Sequence, residues 1–228
     1  MIIVTLHFFV CSYSLLGNER TIISFMSEQI KIISGWLQAG SINIFGRPFS
    51  GKDTQGQILA DLFQAPLIGG GDILRSHHDP AKIEQILASG GIVPSDFYLN
   101  MVLPYLSRPN FKDKPLVLSA VGRSHGEEET IMKAAADSGH PIKAVIVLQL
   151  SEEEVWRRFE ESRLEHDRGN RSDDHHNVLK TRLQKFQDKT VPVIEFYRHK
   201  KLLIEVDGEK GREEVTSKIL EELASRTS

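Results

Sequence analysis

The sequence has 228 residues, 40% of them hydrophobic, and its 28 basic and 31 acidic residues give a formal net charge of −3. This length is enough for one full α/β core with a small appendage, and the charge balance excludes a generally basic surface for nucleic acids or membranes. The single cysteine, Cys11, excludes an internal disulfide framework and a cysteine-rich zinc site, so a reducing cytosol fits best.

The first 25 residues stand apart from the rest of the chain, because the stretch from Met1 to Leu16 is largely apolar and polar residues follow it. A membrane-spanning helix needs about 20 apolar residues, and a secretory signal needs basic residues ahead of its apolar stretch, so the segment meets neither requirement. We expect Met26 to be the natural start and residues 1–25 to be a non-native or disordered extension, or a loosely packed helix, before one domain over 26–228. A signal peptide is the alternative.

Short apolar or β-branched runs alternate with longer amphipathic segments along the rest of the chain. Helical spacing of the apolar residues is clearest over 174–198. This alternation predicts βαβ units wound into a five-stranded parallel sheet flanked by helices. The predicted strands, each bounded by Gly, Pro or charged residues, are 42–45, 66–68, 116–118, 145–148 and 202–206.

A glycine-containing loop, Gly46–Thr54, joins the first predicted strand to a predicted helix. Small residues let the backbone wrap a phosphate with its N–H groups aimed inward, and the N-terminus of a helix favours negative charge. Lys52 is placed to bridge the β and γ phosphates, and the hydroxyl of Thr54 to bind the Mg²⁺ ion that screens their charge. The segment therefore predicts a nucleoside triphosphate site of the P-loop type.

This loop departs from the common pattern, because Asp53 separates Lys52 from Thr54. The order Gly-x-x-x-x-Gly-Lys-x-Thr-Gln resembles the adenylate kinase family of nucleoside monophosphate kinases, in which the inserted residue is usually glycine, as is the residue that stands here as Phe49. The resemblance implies ATP as co-substrate and Mg²⁺ as cofactor. The implied ATP-binding residues are Phe49, Ser50, Gly51, Lys52, Asp53, Thr54, Arg158 and Lys210.

Three later segments resemble the acceptor side of the same family. Gly69–Arg75 is similar to Ser-Thr-Gly-Asp-Met-Leu-Arg, Gly90–Pro94 to Gly-x-Leu-Val-Pro, and Leu116–Arg123 to a strand ending in Asp-Gly-Phe-Pro-Arg. The planar fork of a guanidinium suits an arginine for clamping a monophosphate. The implied acceptor-binding residues are Gly70, Arg75, Gly91, Ile92, Val93, Ala120, Arg123, Glu127, Arg171 and Arg182.

Two departures on this side bear on the chemistry. Ser119 stands where the family has the aspartate that holds the water shell of Mg²⁺, and Glu127 where a glutamine reads the adenine of AMP. The acceptor base and the metal geometry are therefore open. One hypothesis is that Asp53 partly replaces the missing carboxylate, so that Thr54 binds the metal with Asp53 or Ser119 acting through water.

The last resemblance lies near the C-terminal part, where Arg171–Asp174 and Lys180–Leu183 are similar to the family's Arg-x-Asp-Asp and Lys-x-Arg-Leu. Catalysis of phosphoryl transfer is mostly alignment and neutralisation of charge, which arginines on a closing lid supply. The resemblance implies a helical acceptor-binding insert near 71–105 and a short lid near 163–173 without a zinc site. The implied catalytic residues are Lys52, Arg123, Arg171 and Arg182.

We expect a phosphotransferase that moves the γ-phosphoryl group of ATP to a nucleoside monophosphate, with AMP as the first choice of acceptor and UMP or CMP as the next. A nucleotide-binding regulator that has lost the chemistry is the alternative from another class, motivated by Ser119 and Asp53. A kinase of another small metabolite is the third. The expected partners are small-molecule nucleotides rather than nucleic acids or membranes, and the expected form is a cytoplasmic monomer.

Overall fold

The computed structural model describes residues 19–76, 95–165 and 176–227, and the structural statements below refer to these residues. Five parallel strands form one sheet in the order β2-β3-β1-β4-β5. The predicted α/β fold and its five strands are confirmed. The strands are β1 Ser41–Gly46, β2 Leu67–Gly69, β3 Leu116–Ser119, β4 Ile142–Gln149 and β5 Leu203–Asp207.

Strand β4 begins at Ile142, earlier than the predicted 145. The sequence hides this start because Lys143 interrupts the apolar run. In the fold, the ammonium of Lys143 donates to the carbonyl of Trp36, while Ile142 and Ala144 are buried. A strand alternates its side chains between two faces, so a single lysine with a partner is compatible with its interior.

Helices lie on both faces of the sheet, and none within the described residues is long and apolar enough to cross a membrane. The helices are α1 Glu19–Leu37, α2 Lys52–Phe63, α3 Gly70–Arg75, α4 Ser95–Leu106, α5 Glu128–Asp137, α6 Glu152–Glu165, α7 His176–Lys185, α8 Val191–His199 and α9 Arg212–Ser225. The extent of the N-terminal extension stays a prediction, since residues 1–18 lie outside the described residues.

The long helix predicted over 174–198 is present from residue 176, but it is divided. A π-helical turn, Phe186–Thr190, separates α7 from α8, and Pro192 occupies the first turn of α8. Proline has no N–H to donate to the preceding turn, so the regular ladder of hydrogen bonds breaks there. The apolar periodicity predicted the helix, whereas the break depends on the backbone chemistry of proline.

Both faces of the sheet are buried, as is usual for parallel sheets. On one face, Phe45 and Leu118 pack with α4, α5 and α8, and Tyr197 of α8 lies against Phe45. On the other face, Ile44 and Val117 pack with α1, α2 and α9. This two-sided core fixes the strands so that their carboxyl ends meet along one edge of the sheet, where the predicted loop and site residues follow.

Candidate functional site

The loop Gly46–Gly51 leaves the carboxyl end of β1, which is the edge where open parallel sheets bind ligands. Phe49 and Gly51 adopt left-handed backbone conformations, with φ of 64° and 83°, and α2 begins directly after Gly51. The first N–H groups of a helix have no partners within it. The hydroxyl of Ser50 is buried and also has no hydrogen-bond partner among the described residues. The loop therefore offers several donors to an anion.

We predict that Gly46→Ala disrupts this loop. A Cβ at Gly46 would lie 2.3 Å from Oγ of Ser50 and 3.1 Å from the carbonyl oxygen of Leu148, so the loop has to shift. Overpacking of this kind costs about 1–3 kcal/mol of unfolding free energy. Gly35→Ala on α1 is the matched control, because its Cβ would meet nothing within 4 Å. Urea denaturation of both variants checks the prediction, and equal stabilities would contradict it.

Lys52 opens α2, and its side chain is 19% exposed. Burial lowers the pKa of Lys52 below its ordinary value; the carboxylate of Asp53 opposes this shift, and the positive charges of Arg182 and Arg123 add to it. Positive charge is thus concentrated at the loop without full neutralisation by the protein. Such a place binds a polyanion strongly, since an incoming phosphate relieves the repulsion among the cations.

Asp53 connects the loop to the end of β3. The hydroxyl of Ser119 donates a hydrogen bond of 2.8 Å to Oδ1 of Asp53, while Nζ of Lys52 lies 3.5 Å from Oδ2. Ser119 is buried as the last residue of β3 and pairs with Ile44 of β1. Thr54 follows in the same turn of α2 with its side chain exposed. The fold therefore brings together the three residues that the sequence analysis linked to a metal ion.

Arg123 and Arg182 reach the same region from different elements. Arg123 follows a tight turn after β3, in which Ala120 and Gly122 have φ of 51° and 68°, and Arg182 lies on α7. Burial lowers the pKa of Arg123, and the charge of Arg182 lowers it further, against the opposing effects of Tyr98 and Glu127. The predicted catalytic residues Lys52, Arg123 and Arg182 therefore influence one another electrostatically, while Arg171 lies outside the described residues.

Arg158 of α6 joins the loop to the end of β5. Its guanidinium donates to the carbonyl oxygens of Phe49, at 3.3 Å, and Gly208, at 2.8 Å. Glu154 holds the arginine from the other side at 2.7 Å, and hydrogen bonds from Arg157 and Arg158 lower the pKa of Glu154 to about 2. Arg158 is therefore fixed between the two segments that the sequence analysis assigned to ATP. Lys210 lies in the exposed turn after Gly208.

The side chain of Phe49 has a structural role that the sequence analysis missed. It is buried in a small apolar cluster, where its ring meets the ring of Phe159 edge to face with centroids 5.6 Å apart. The cluster also includes Leu179 and Leu183 of α7. Phe49 thereby ties the loop to α6 and α7, the helix that carries Arg182. Any contact of Phe49 with a phosphate therefore has to come from its backbone rather than its side chain.

The segment Gly69–Arg75 forms the end of β2 and helix α3. Asp72 accepts hydrogen bonds from the backbone N–H of Gly69, at 2.7 Å, and from Arg75, at 2.6 Å, so its carboxylate holds the arginine in place. A Cβ at Gly70 would lie 3.0 Å from the carbonyl oxygen of Ala120 and 3.3 Å from Oη of Tyr98. A side chain at Gly70 would therefore be tightly packed, and Tyr98 is a residue of this region that the sequence analysis did not identify.

Glu127 is buried, and both of its carboxylate oxygens are used within the protein. Ser95 donates to Oε1 at 2.7 Å, and the backbone N–H of Ser124 donates to Oε2 at 3.1 Å. Burial raises the pKa of Glu127. The carboxylate therefore links the start of α4 to the loop that carries Arg123. A cavity of about 900 Å³ borders this link and is lined by Ser95, Ser124, His125 and, from α7, Lys180 and Thr181.

We predict that Glu127→Gln raises the unfolding free energy near neutral pH and leaves it unchanged below about pH 4. Because the pKa of Glu127 is raised, the folded protein binds this proton more tightly than the unfolded chain does. Stability contributed by the wild-type residue is therefore lost as the pH rises from about 4.3 through the raised value. Glutamine keeps an acceptor for Ser124 and offers a donor to Ser95.

The measurement for this variant is urea denaturation over a pH series. Glu129→Gln is the control, since Glu129 lies exposed on the same helix, α5. Parallel pH profiles for wild type and Glu127→Gln would contradict the prediction.

Four predicted site residues cannot be placed, because Gly91, Ile92, Val93 and Arg171 lie outside the described residues. The same holds for most of the predicted lid. The remaining predicted residues follow the carboxyl ends of the strands or lie on helices α2, α3, α6 and α7.

Comparisons with known proteins give a family match and several similar sequences. The family model described as adenylate kinase matches residues 44–202. An adenylate kinase of Thermobifida fusca (strain YX) is 32% identical over 189 residues, which cover 80% of this chain and 97% of the relative. An adenylate kinase of Trichodesmium erythraeum (strain IMS101) is 31% identical over 188 residues, covering 78% of this chain and 94% of the relative.

Proposed function

Because this chain belongs to the adenylate kinase family and is a nucleoside monophosphate kinase, we propose that it transfers the γ-phosphoryl group of ATP to AMP, giving two ADP. The observation that supports this most is the concentration of Lys52, Arg123 and Arg182 at the loop after β1, where the charges of Arg182 and Arg123 lower the pKa of Lys52 and the charge of Arg182 lowers the pKa of Arg123. Three such charges match the negative charge of a transferring phosphoryl group and its two flanking nucleotides.

On the ATP side, we propose that the backbone of Phe49, Ser50 and Gly51 cradles the phosphates, helped by the N–H groups of Asp53 and Thr54. Lys52 would bridge the β and γ phosphates. Adenine would lie near Arg158 and the backbone of Lys210, since Arg158 already spans the carbonyls of Phe49 and Gly208.

A magnesium ion fits this arrangement, because Thr54 offers a hydroxyl in the first turn of α2 and Asp53 a carboxylate beside it. When bound with ATP, Mg²⁺ screens the phosphate charge and orients the β and γ phosphates. We propose Thr54 as one ligand from this chain, with Asp53 or Ser119 acting through water.

On the acceptor side, we propose that Arg75 and Arg123 hold the monophosphate, with Arg171 and Arg182 reaching the transferring group when the lid closes. Closure would exclude water, which otherwise competes for the phosphoryl group. Gly70, Ala120 and Glu127, with Gly91, Ile92 and Val93 of the insert, would line the acceptor nucleoside.

The proposal is tested by incubating the protein with Mg-ATP and, separately, AMP, GMP, CMP, UMP and dTMP, and measuring the diphosphate products. We expect the highest kcat/KM with AMP. A preference for UMP or CMP would favour the second acceptor class. ATP binding without turnover of any acceptor would instead indicate a nucleotide-binding regulatory protein.

We propose that the partners are small-molecule nucleotides and that the protein acts as a monomer in the cytoplasm. The single cysteine in the sequence is compatible with that reducing compartment. Size-exclusion chromatography with light scattering tests the monomer, and a mass of about 51 kDa, twice the chain mass of 25.7 kDa, would contradict it.

A further inference from the structure

Asp53 and Ser119 form a side-chain hydrogen bond that is not needed for the loop backbone to wrap a phosphate. The two residues are 66 positions apart in sequence, and the buried hydroxyl of Ser119 fixes Oδ1 of Asp53 at 2.8 Å. The other carboxylate oxygen, Oδ2, lies 3.5 Å from Nζ of Lys52. Asp53 is thus held at the loop by a residue of the neighbouring strand.

A carboxylate in this position opposes the binding of a polyphosphate unless a cation lies between them. The side chain is 61% exposed, so it has room to turn toward solvent, yet its hydrogen bond to Ser119 keeps it beside Lys52. Asp53 is also next to Thr54, whose hydroxyl is a suitable oxygen ligand. The arrangement is therefore favourable for a nucleotide that carries a divalent cation and unfavourable for one that does not.

The rest of the coordination has to come from the nucleotide and water. Among the described residues there is no group of three or more His, Cys, Asp or Glu side chains that could hold a metal by themselves. Magnesium commonly binds through one or two carboxylates together with phosphate oxygens and waters. One carboxylate and one hydroxyl beside a phosphate loop match that pattern.

We propose that Asp53 is the carboxylate that binds the Mg²⁺ of Mg-ATP, directly or through its water shell, and that Ser119 is the residue that positions it. This inference rests on the proposed use of ATP. The negative charge near the metal then comes from Asp53 in the first turn of α2. It does not come from the end of β3, where Ser119 stands in place of the family's aspartate.

The test measures the affinity of Mn²⁺, a paramagnetic substitute for Mg²⁺, by electron paramagnetic resonance in the complex with a non-hydrolysable ATP analogue. We expect Asp53→Asn to weaken Mn²⁺ affinity in that complex by about 10-fold or more. Affinity for the metal-free analogue should rise in the same variant, because a negative charge beside the phosphates is removed. These opposite changes separate a metal role from a general defect of the loop.

Ser119 is tested by the same measurement. Ser119→Ala should weaken Mn²⁺ affinity less than Asp53→Asn does, and Ser119→Thr, which keeps the hydroxyl, should restore it. The exchange variant Asp53→Gly/Ser119→Asp should recover most of the affinity lost in Asp53→Gly, because the carboxylate returns to the neighbouring position. Asp61→Asn is the control, since Asp61 is an exposed residue of α2 that accepts from Gln57.

Unchanged Mn²⁺ affinity in Asp53→Asn, in a protein that still phosphorylates its acceptor, would overturn this inference and leave the proposed function intact. Failure of the wild-type chain to bind the ATP analogue would overturn both.

Discussion

Lys52→Ala is expected to lower kcat for phosphoryl transfer by about 10²–10³-fold, the range seen when one preorganised donor to a developing negative charge is removed. Lys52 lies at the N-terminus of α2, and burial together with Arg182 and Arg123 lowers its pKa. Phosphate oxygens would raise the pKa of Lys52 again by supplying negative charge. The charged ammonium group is therefore favoured in the nucleotide complex.

Initial rates with saturating Mg-ATP and AMP test this expectation, with Lys31→Ala as the control because Lys31 is 75% exposed on α1. Thermal unfolding should show that both variants fold. The pH dependence gives a second test. In wild type, kcat/KM should decline at alkaline pH with an apparent pKa below that of an ordinary lysine, since this ratio reports the free enzyme. The same decline in Lys52→Ala would contradict the assignment to Lys52.

Much of the fold could be predicted because its signals are local. Apolar runs between Gly, Pro and charged residues marked all five strands, and the loop Gly46–Thr54 is a contiguous motif. The start of β4 and the π-helical turn before Pro192 were missed for local reasons as well. At β4, the hydrogen-bonded Lys143 lies inside the strand although it interrupts the apolar run. Before α8, Pro192 lacks the backbone N–H that a continuous helix needs, although the apolar spacing continues through it.

The contacts that shape the site could be predicted only in part, since they join distant segments. No periodicity in the sequence links Ser95 to Glu127 or Tyr98 to Gly70, yet both contacts form where the start of α4 meets the loops after β2 and β3. Phe49 likewise looked like a substituted loop glycine. Its packing against Phe159 emerges only when α6 is folded onto the loop.

Arg123→Met is expected to lower kcat/KM by about 10³-fold, the lower range for removing an arginine that stabilises a transferring phosphoryl group. The nucleotide-free protein should nevertheless melt at the same temperature as wild type or higher. Repulsion from Arg182 disfavours the guanidinium of Arg123, and removing the guanidinium also relieves one of the repulsions that lower the pKa of Lys52. Methionine retains an unbranched apolar stem of similar length.

Two measurements on this variant distinguish an active-site arginine from a structural one. Differential scanning fluorimetry without ligand should show no loss of stability, whereas the stabilisation by added ATP and AMP should shrink, because ligand stabilisation depends on affinity. Arg108→Met is the control, since Arg108 is exposed and stacks on Tyr105 away from the loop. A variant that melts well below wild type would show that Arg123 supports the fold. A variant that retains activity within about 10-fold would show that Arg123 does not stabilise the transferring phosphate. A charge held against repulsion is explained by function only if its removal costs activity and not stability.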